Sequence, residues 1–292
     1  MAKINIAPIF HLGLLKISGP DTVKLLQGQT TADYDQHPTD QYAWAAACTP
    51  KGRVYSNFIS IPVDEGFLLL MAMDLIPETL KRLNKYAVFY KVTLEDVSKQ
   101  WHLLGVEQDD QHVFGTLDKA QSVAVSDTEI SLAWPGKRKI LALNPLNAGY
   151  DDRLEALTEH YTFLTSEHWQ KGDIEAGIPW VTDANLEEFI PQNLNLQAFD
   201  GISFSKGCYT GQEIVARMEY KGKLKSWAHL ATSAQPLKAG DKIVNADGRA
   251  LGTVINSADL SALVMVQHQA TESDLFGPED NPIKIQNLPY TV

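Results

Sequence analysis

The sequence predicts an α+β protein that closes with a small β-barrel or sandwich, and three observations carry the prediction. Over residues 1–220, strand and helix patterns are interleaved without the regular repeat of a parallel α/β sheet. From Trp227 onward the chain changes to short apolar stretches cut by Gly, Pro or Asp, the pattern of a barrel or sandwich of roughly 70 residues. A length of 292 residues suits about two domains at ~150 residues each.

The elements follow in order. Leu12 to Ile17 is an apolar segment stopped by Ser18-Gly19-Pro20. Ser18 or Asp21 can cap the next helix, with Pro20 tolerated in its first turn. That helix holds Val23, Leu25 and Leu26 and gives out near Gly28. Tyr42–Cys48 and Val54–Ile61 read as strands around a turn at Thr49-Pro50-Lys51-Gly52. Phe67–Met73 is a buried strand. A helix from about Pro77 to Ala87 places Leu80, Leu83 and Ala87 on one stripe. Residues 107 to 129 are rich in acids (Glu107, Asp109, Asp110, Asp118, Asp127, Glu129) and read as a solvated, loop-rich face. Helices follow from around Arg153 to His160 and from Ser166 to Ala176, the latter stopped by Gly177 with Pro179 beyond. The strands of this barrel or sandwich are expected at Trp227–Thr232, Lys242–Asn245, Ala250–Ile255, Leu260–His268 and Ile283–Gln286.

Composition narrows the function. With 25 basic and 36 acidic side chains the net charge is −11, so the chain as a whole is repelled by nucleic acid and by anionic membranes. The longest apolar run falls far short of the ~20 residues that span a bilayer, and the N-terminus lacks a signal-type pattern. Two cysteines, Cys48 and Cys208, make no disulfide framework, which points to a reducing cytoplasm. They are also too few for an all-Cys cluster. No Cys/His set has zinc spacing, Glu167-His168 being an isolated pair, and no phosphate-binding glycine loop is present. No metal site is expected.

One segment carries chemistry: Lys206-Gly207-Cys208-Tyr209-Thr210-Gly211-Gln212-Glu213. Its glycines free the loop for unusual backbone angles or for close approach of a ligand. Thr210 followed by Glu213 fits a capping box for the next helix. Cys208 would then sit just outside a helix N-terminus and two residues from Lys206, both of which favour a thiolate. Cys48, inside Ala45-Ala46-Ala47-Cys48, reads as core. Lys206, Arg217, Lys221, Lys223 and Lys225 against Glu213 and Glu219 make the one locally basic region, +3 by count, suited to an anionic ligand or, alternatively, to a solvated strand edge.

This signature resembles that of the YgfZ-type folate-binding proteins, relatives of the glycine cleavage T-protein. Leu26-Gln27-Gly28-Gln29-Thr30-Thr31-Ala32-Asp33, Lys51-Gly52-Arg53, Lys85-Tyr86-Ala87-Val88-Phe89, Ile174-Glu175-Ala176-Gly177 and Phe189-Ile190-Pro191-Gln192 with Asn195-Leu196-Gln197 extend the resemblance over nearly the whole chain. It implies a T-protein-like arrangement: two α+β domains within residues 1–220, the second at about 42–105, and a barrel at 221–292, around a central channel for tetrahydrofolate. It implies a supporting role for iron–sulfur proteins, including those that thiolate tRNA. Glu175 matches the pterin-binding Glu of the Glu-Ala-Gly motif, and Trp169 matches an aromatic folate contact. A second aromatic contact of relatives falls at Leu12 here. Arg53 and Arg217 are candidate partners for an anionic tail. T-proteins carry an Asp pair after their turn, whereas Ser56 and Asn57 stand at those positions and neither can act as a carboxylate.

The leading expectation is therefore a cytoplasmic, tetrahydrofolate-dependent accessory factor for iron–sulfur enzymes of tRNA modification, with Cys208 functionally required. Aminomethyl transfer by the T-protein mechanism is not expected. The alternatives are folate-dependent one-carbon transfer using Cys208, and direct tRNA binding through Lys221–Lys225, against which the net charge argues.

Overall fold

The computed structural model describes residues 4–35, 37–108, 121–126, 129–146, 150–158, 161–220, 222 and 224–292. The chain begins with strands β1 (Ile4–Pro8) and β2 (Leu12–Ser18) and helix α1 (Thr22–Gln29). Strands β3 (Ala43–Cys48), β4 (Val54–Val63) and β5 (Gly66–Ala72) lead to helix α2 (Ile76–Ala87). Then come β6 (Thr93–Asp96), β7 (His102–Gln108), β8 (Val123–Val125), β9 (Glu129–Trp134) and β10 (Arg138–Leu143). Helix α3 (Tyr150–Thr158), β11 (Tyr161–Phe163), α4 (Ser166–Glu175) and α5 (Gln212–Tyr220) precede the last six strands. These are β12 (Ser226–Ser233), β13 (Lys242–Asn245), β14 (Ala250–Ala258), β15 (Ser261–Gln267), β16 (Leu275–Phe276) and β17 (Pro282–Gln286). The fold is α+β with a closed C-terminal barrel of strand order β12-β15-β14-β13-β16-β17.

Two compact units divide the chain: Met1–Gln27, Asp33–Ala43 and Phe58–Trp169 form the first; Gly28–Ala32, Trp44–Asn57 and Gln170–Val292 form the second. The first unit contains a six-stranded sheet ordered β11-β1-β7-β10-β9-β8. Ile6, Leu141 and Leu143 form a buried patch on it, with Leu104 and Val106 packed alongside. A five-stranded sheet has the order β3-β4-β5-β2-β6. Helix α2 packs against β2 and β6 through Ile76, Thr79, Leu83 and Ala87. The buried stripe thus passes through Thr79, leaving Leu80 only partly covered.

The six-stranded sheet is the main departure from the sequence expectation. Most of the acidic stretch, residues 109–120 and 127–128, lies outside the described residues. Its ends are ordered strand rather than solvated loop: Glu107 belongs to β7 and is buried, accepting a 2.9 Å hydrogen bond from His168 Nε2. Strand β9 alternates buried Ile130, Leu132 and Trp134 with less covered neighbours, the period-two pattern of a strand with one face on the core. Helix α3 begins at Tyr150, and residues 159–160 of the expected helix lie outside the described residues.

The barrel matches the expected strands and adds β16, a two-residue segment too short to give a sequence signal. Its interior is filled by Ala231, Ile243, Val254, Val264, Val266, Leu275 and Ile283, each side chain of Val or Ile size contributing about 1.5–3 kcal/mol on burial. Beside it in the second unit, the Pro191–Gln197 segment uses its amides as struts. Asn193 Nδ2 donates to Ser226 O at 2.7 Å, Asn195 Nδ2 to Ala228 O at 3.0 Å and Gln192 Nε2 to Val215 O at 2.8 Å. In the Pro-Gln-Asn-Leu-Asn motif, three side-chain amides thus tie the segment to backbone carbonyls of β12 and α5.

Candidate functional site

The signature loop is held by its flanks and leaves its centre exposed. Lys206 and Tyr209 are buried and Cys208 is exposed. The Lys206 ammonium donates to the carbonyl of Thr30 at 3.0 Å and to that of Ala32, and it lies 5.1 Å from the centre of the Tyr209 ring. Burial raises the Tyr209 phenol well above its ordinary value, with nearby Cys48 adding to the effect. Thr210 N donates to Gly28 O at 3.1 Å and its hydroxyl to Gln29 Oε1 at 3.0 Å. At Gly211, φ is +87° and a side chain would meet Thr49 O at 2.6 Å, so the close approach of the two turns requires glycine.

These contacts revise two sequence expectations. Helix α5 begins at Gln212, which makes Gly211, not Thr210, the residue before the helix. The Thr210 hydroxyl points to Gln29 instead. Lys206 is directed into the fold rather than displayed as part of a basic surface, since two backbone carbonyls can bind its ammonium only if it turns inward. Lys221 and Lys223 lie outside the described residues. Cys48 is a core thiol, pushed up to about 12 by burial and unreactive as a nucleophile at neutral pH.

Ser56 and Asn57 lie at the buried end of β4. Asn57 donates from Nδ2 to Pro179 O at 2.8 Å and accepts the Val181 N–H on Oδ1 at 2.8 Å. Ser56 Oγ is buried without a hydrogen-bond partner. Asn57 thus holds backbone, and neither residue supplies a carboxylate.

Glu175 ends α4. Gly177 N bonds back to Ile174 O at 2.8 Å and Ile178 N to Asp173 O at 2.9 Å, which is a Schellman closure. Gly177 supplies the left-handed angle (φ +72°), and a Cβ there would strike the Tyr290 ring at 2.5 Å. Tyr290 donates its hydroxyl to Gly177 O at 2.8 Å. Asp173 Oδ2 accepts the indole N–H of Trp180 at 3.3 Å. Fixed by this turn, Glu175 is partly buried, and its carboxylate has no hydrogen bond or ion pair with any described residue. A partly covered carboxylate without a protein partner is chemically suited to accept N–H groups from a ligand.

Trp169, near the start of α4, belongs to the first unit. It is buried, with the Arg138 guanidinium 4.4 Å from its ring centre. Gly105 makes room for it, since a Cβ there would lie 2.1 Å from the ring. The indole Nε1 is buried without a partner. Leu12 is buried in β2. Of the two arginines proposed for an anionic tail, Arg53 donates from Nη1 to Glu188 O at 2.8 Å, and Arg217 is exposed on α5. Sequence reasoning did not identify Arg138 or Tyr290. Arg138 sits in an ordinary strand pattern and Tyr290 in the last few residues, so only the folded chain relates them to Trp169 and Gly177. Among the described residues no His, Cys, Asp or Glu cluster could hold a metal, and no helix is long and apolar enough to cross a membrane.

No family model matches the chain. It is, however, similar over nearly its full length to several proteins named tRNA-modifying protein YgfZ. The one from Serratia proteamaculans is 35% identical over 300 residues, covering 96% of this chain and 90% of the relative. The one from Pectobacterium carotovorum is 36% identical over 316 residues, covering 100% and 94%. The one from Escherichia coli O7:K1 (strain IAI39) is 33% identical, covering 96% and 91%. Among solved structures, the fold is similar to the glycine cleavage system aminomethyltransferase T of Bartonella henselae, with a TM-score of 0.70 and 14% identity over 99% of this chain and 87% of that one.

Proposed function

Because the chain belongs to the YgfZ family of tRNA-modifying proteins, we propose that it is a tetrahydrofolate-binding accessory protein supporting iron–sulfur enzymes, among them those that thiolate tRNA. The observation that carries the folate part is Glu175, whose partly buried carboxylate is left without a described partner at the end of α4. A reduced pterin presents adjacent N–H donors, which a carboxylate accepts in a paired, charge-assisted arrangement. Trp169 offers a second unsatisfied group, its buried indole N–H. Glu175 is thus the candidate for the pterin N–H edge, Trp169 is the aromatic contact that the family resemblance implies, and Arg53 and Arg217 are the candidates for the glutamate tail. When bound, tetrahydrofolate supplies the nitrogen atoms that carry one-carbon groups. The chain's own residues orient it and offer the exposed Cys208 thiol.

The fold is that of an aminomethyltransferase, but the chemistry at Ser56 and Asn57 speaks against aminomethyl transfer. A carboxylate there could stabilise developing positive charge or accept a proton; a serine hydroxyl and an amide whose two ends bind Pro179 and Val181 do neither. We place the folate-binding part in residues 1–220, with a second α+β segment at about 42–105, and the barrel in 221–292, in a cytoplasmic protein whose partners are folate and iron–sulfur enzymes rather than nucleic acid. Complementation tests the role: in a deletion strain the wild-type chain restores tRNA thiolation and Cys208→Ala does not. Full restoration by Cys208→Ala would remove the thiol from the account.

A second reading rests on the exposure of Cys208: one-carbon transfer to or from folate with this thiol as nucleophile or acceptor. Incubation with methylene-tetrahydrofolate followed by intact-mass analysis separates the two, because only this reading expects an adduct that Cys208→Ala abolishes.

A further inference from the structure

Cys208 occupies the short free crown of a loop tied down on both sides. On the approach side, Thr31 Oγ1 donates to Gly201 O at 2.6 Å, and Ser203 N donates to Thr31 O at 2.8 Å. On the exit side, Thr210 binds Gly28 O and Gln29 Oε1. Between these anchors the Lys206 ammonium reaches the carbonyls of both Thr30 and Ala32. That segment is itself fixed, since Thr30 bridges to Ala47 and Thr31 N donates to Ala46 O at 2.9 Å. Tyr209 turns inward beneath the lysine, 5.1 Å from ring centre to Nζ, within reach of a cation–π contact. A side chain at Gly207 would meet nothing within 4 Å. Gly207 and Cys208 therefore project from a platform whose central fastening is one buried ammonium.

A lysine two residues from a cysteine would ordinarily be assigned to thiolate activation. A buried ammonium must be hydrogen-bonded to persist away from water, and here backbone carbonyls of Thr30 and Ala32 serve it. We infer that Lys206 is a positioning residue: it fastens the signature loop to the Thr30–Ala32 segment and so presents Cys208 outward, and it is not the cation that activates the thiol. The inference concerns how the loop is held, and stands whether or not the chain binds folate.

Three measurements test it. In the wild-type protein, reductive methylation read by peptide mass spectrometry is expected to modify Lys206 at least about tenfold more slowly than exposed Lys24, because methylation requires the clamp to open. Equal rates overturn the inference. In Lys206→Met, amide hydrogen exchange is expected to rise at least about tenfold at both Thr30–Ala32 and Gly207–Thr210, the loss of charged hydrogen bonds being felt on both sides. The pH midpoint of Cys208 alkylation by iodoacetamide is expected to move by less than about half a unit. A midpoint raised by about one unit or more, or unchanged exchange at either segment, overturns the inference. Should Lys206→Met fail to fold, the wild-type methylation rates decide it alone.

Discussion

Asn57 Oδ1 accepts the backbone N–H of Val181 at 2.8 Å, while its Nδ2 donates to the carbonyl of Pro179 two residues earlier. One carboxamide therefore joins β4 to the backbone that leaves the Gly177 turn, using a donor and an acceptor at once. An aspartate in the same place has only acceptors when ionised. Where an acidic pair would serve chemistry, this chain has a brace.

Asn57→Asp is accordingly expected to cost about 1–3 kcal/mol at pH 7, since a buried carboxylate oxygen then faces Pro179 O. The same contact and burial raise the folded-state value of the new carboxyl above its unfolded value near ~3.9, so the proton binds more tightly in the folded state. Its penalty is smallest at acid pH and grows as pH rises through the raised value. Urea unfolding of both proteins at pH 5 and pH 8 checks this; a stability difference larger at pH 5 would reverse the assignment.

Gly177→Ala places a methyl group against the Tyr290 ring and forces a non-glycine residue into φ +72°. A loss of about 1–3 kcal/mol is expected. Tyr290→Phe, which removes the hydroxyl that donates to Gly177 O and accepts from Asn195 Nδ2 at 3.5 Å, is expected to cost about 1 kcal/mol. Denaturant midpoints give both values, and equal effects would mean that the turn tolerates a side chain.

In the barrel, His229 stacks with Trp227 at 5.6 Å and with His268 at 6.3 Å between ring centres. Burial, then the neighbouring His268, lowers its pKa to about 4. With a folded value below the unfolded ~6.5, the unfolded chain binds the extra proton between these limits. Stability is therefore full above ~6.5 and declines as pH falls towards 4. His229→Phe keeps a ring in place and removes the titration. Its denaturation midpoint is expected to fall less than that of the wild type between pH 7.5 and pH 5; parallel losses would contradict the linkage.

The two thiols are expected to separate cleanly. Iodoacetamide should label exposed Cys208 in the native protein and buried Cys48 only after unfolding, as peptide mapping with and without urea would show. Labelling of Cys48 at the rate of Cys208 would place it outside the core.

What the sequence could disclose depended on how local the cause was. The barrel strands were legible because turn residues punctuate them, and Cys48 because it ends a run of alanines. The six-stranded sheet was not, because Ile4 pairs with Tyr161 on one side and with Gln108 on the other, contacts no short window contains. Glu107 read as solvated among its acidic neighbours, yet β7 carries it into the sheet, where His168 meets it. Lys206 read as surface charge for a similar reason: the carbonyls that turn it inward belong to Thr30 and Ala32, far back in the chain. Glu175 was visible only through its motif. The Schellman turn that fixes it could be read from Gly177 and Pro179, but its lack of a partner among the described residues is a property of the fold.

Calorimetric titration with tetrahydrofolate under reducing, anaerobic conditions tests the central claim most directly. Saturable one-to-one binding to the wild-type chain is expected, weakened at least about tenfold in Glu175→Gln, which keeps the shape and loses the charge that strengthens the accepted hydrogen bonds. No binding to the folded wild-type protein, or equal affinity in Glu175→Gln, would contradict it.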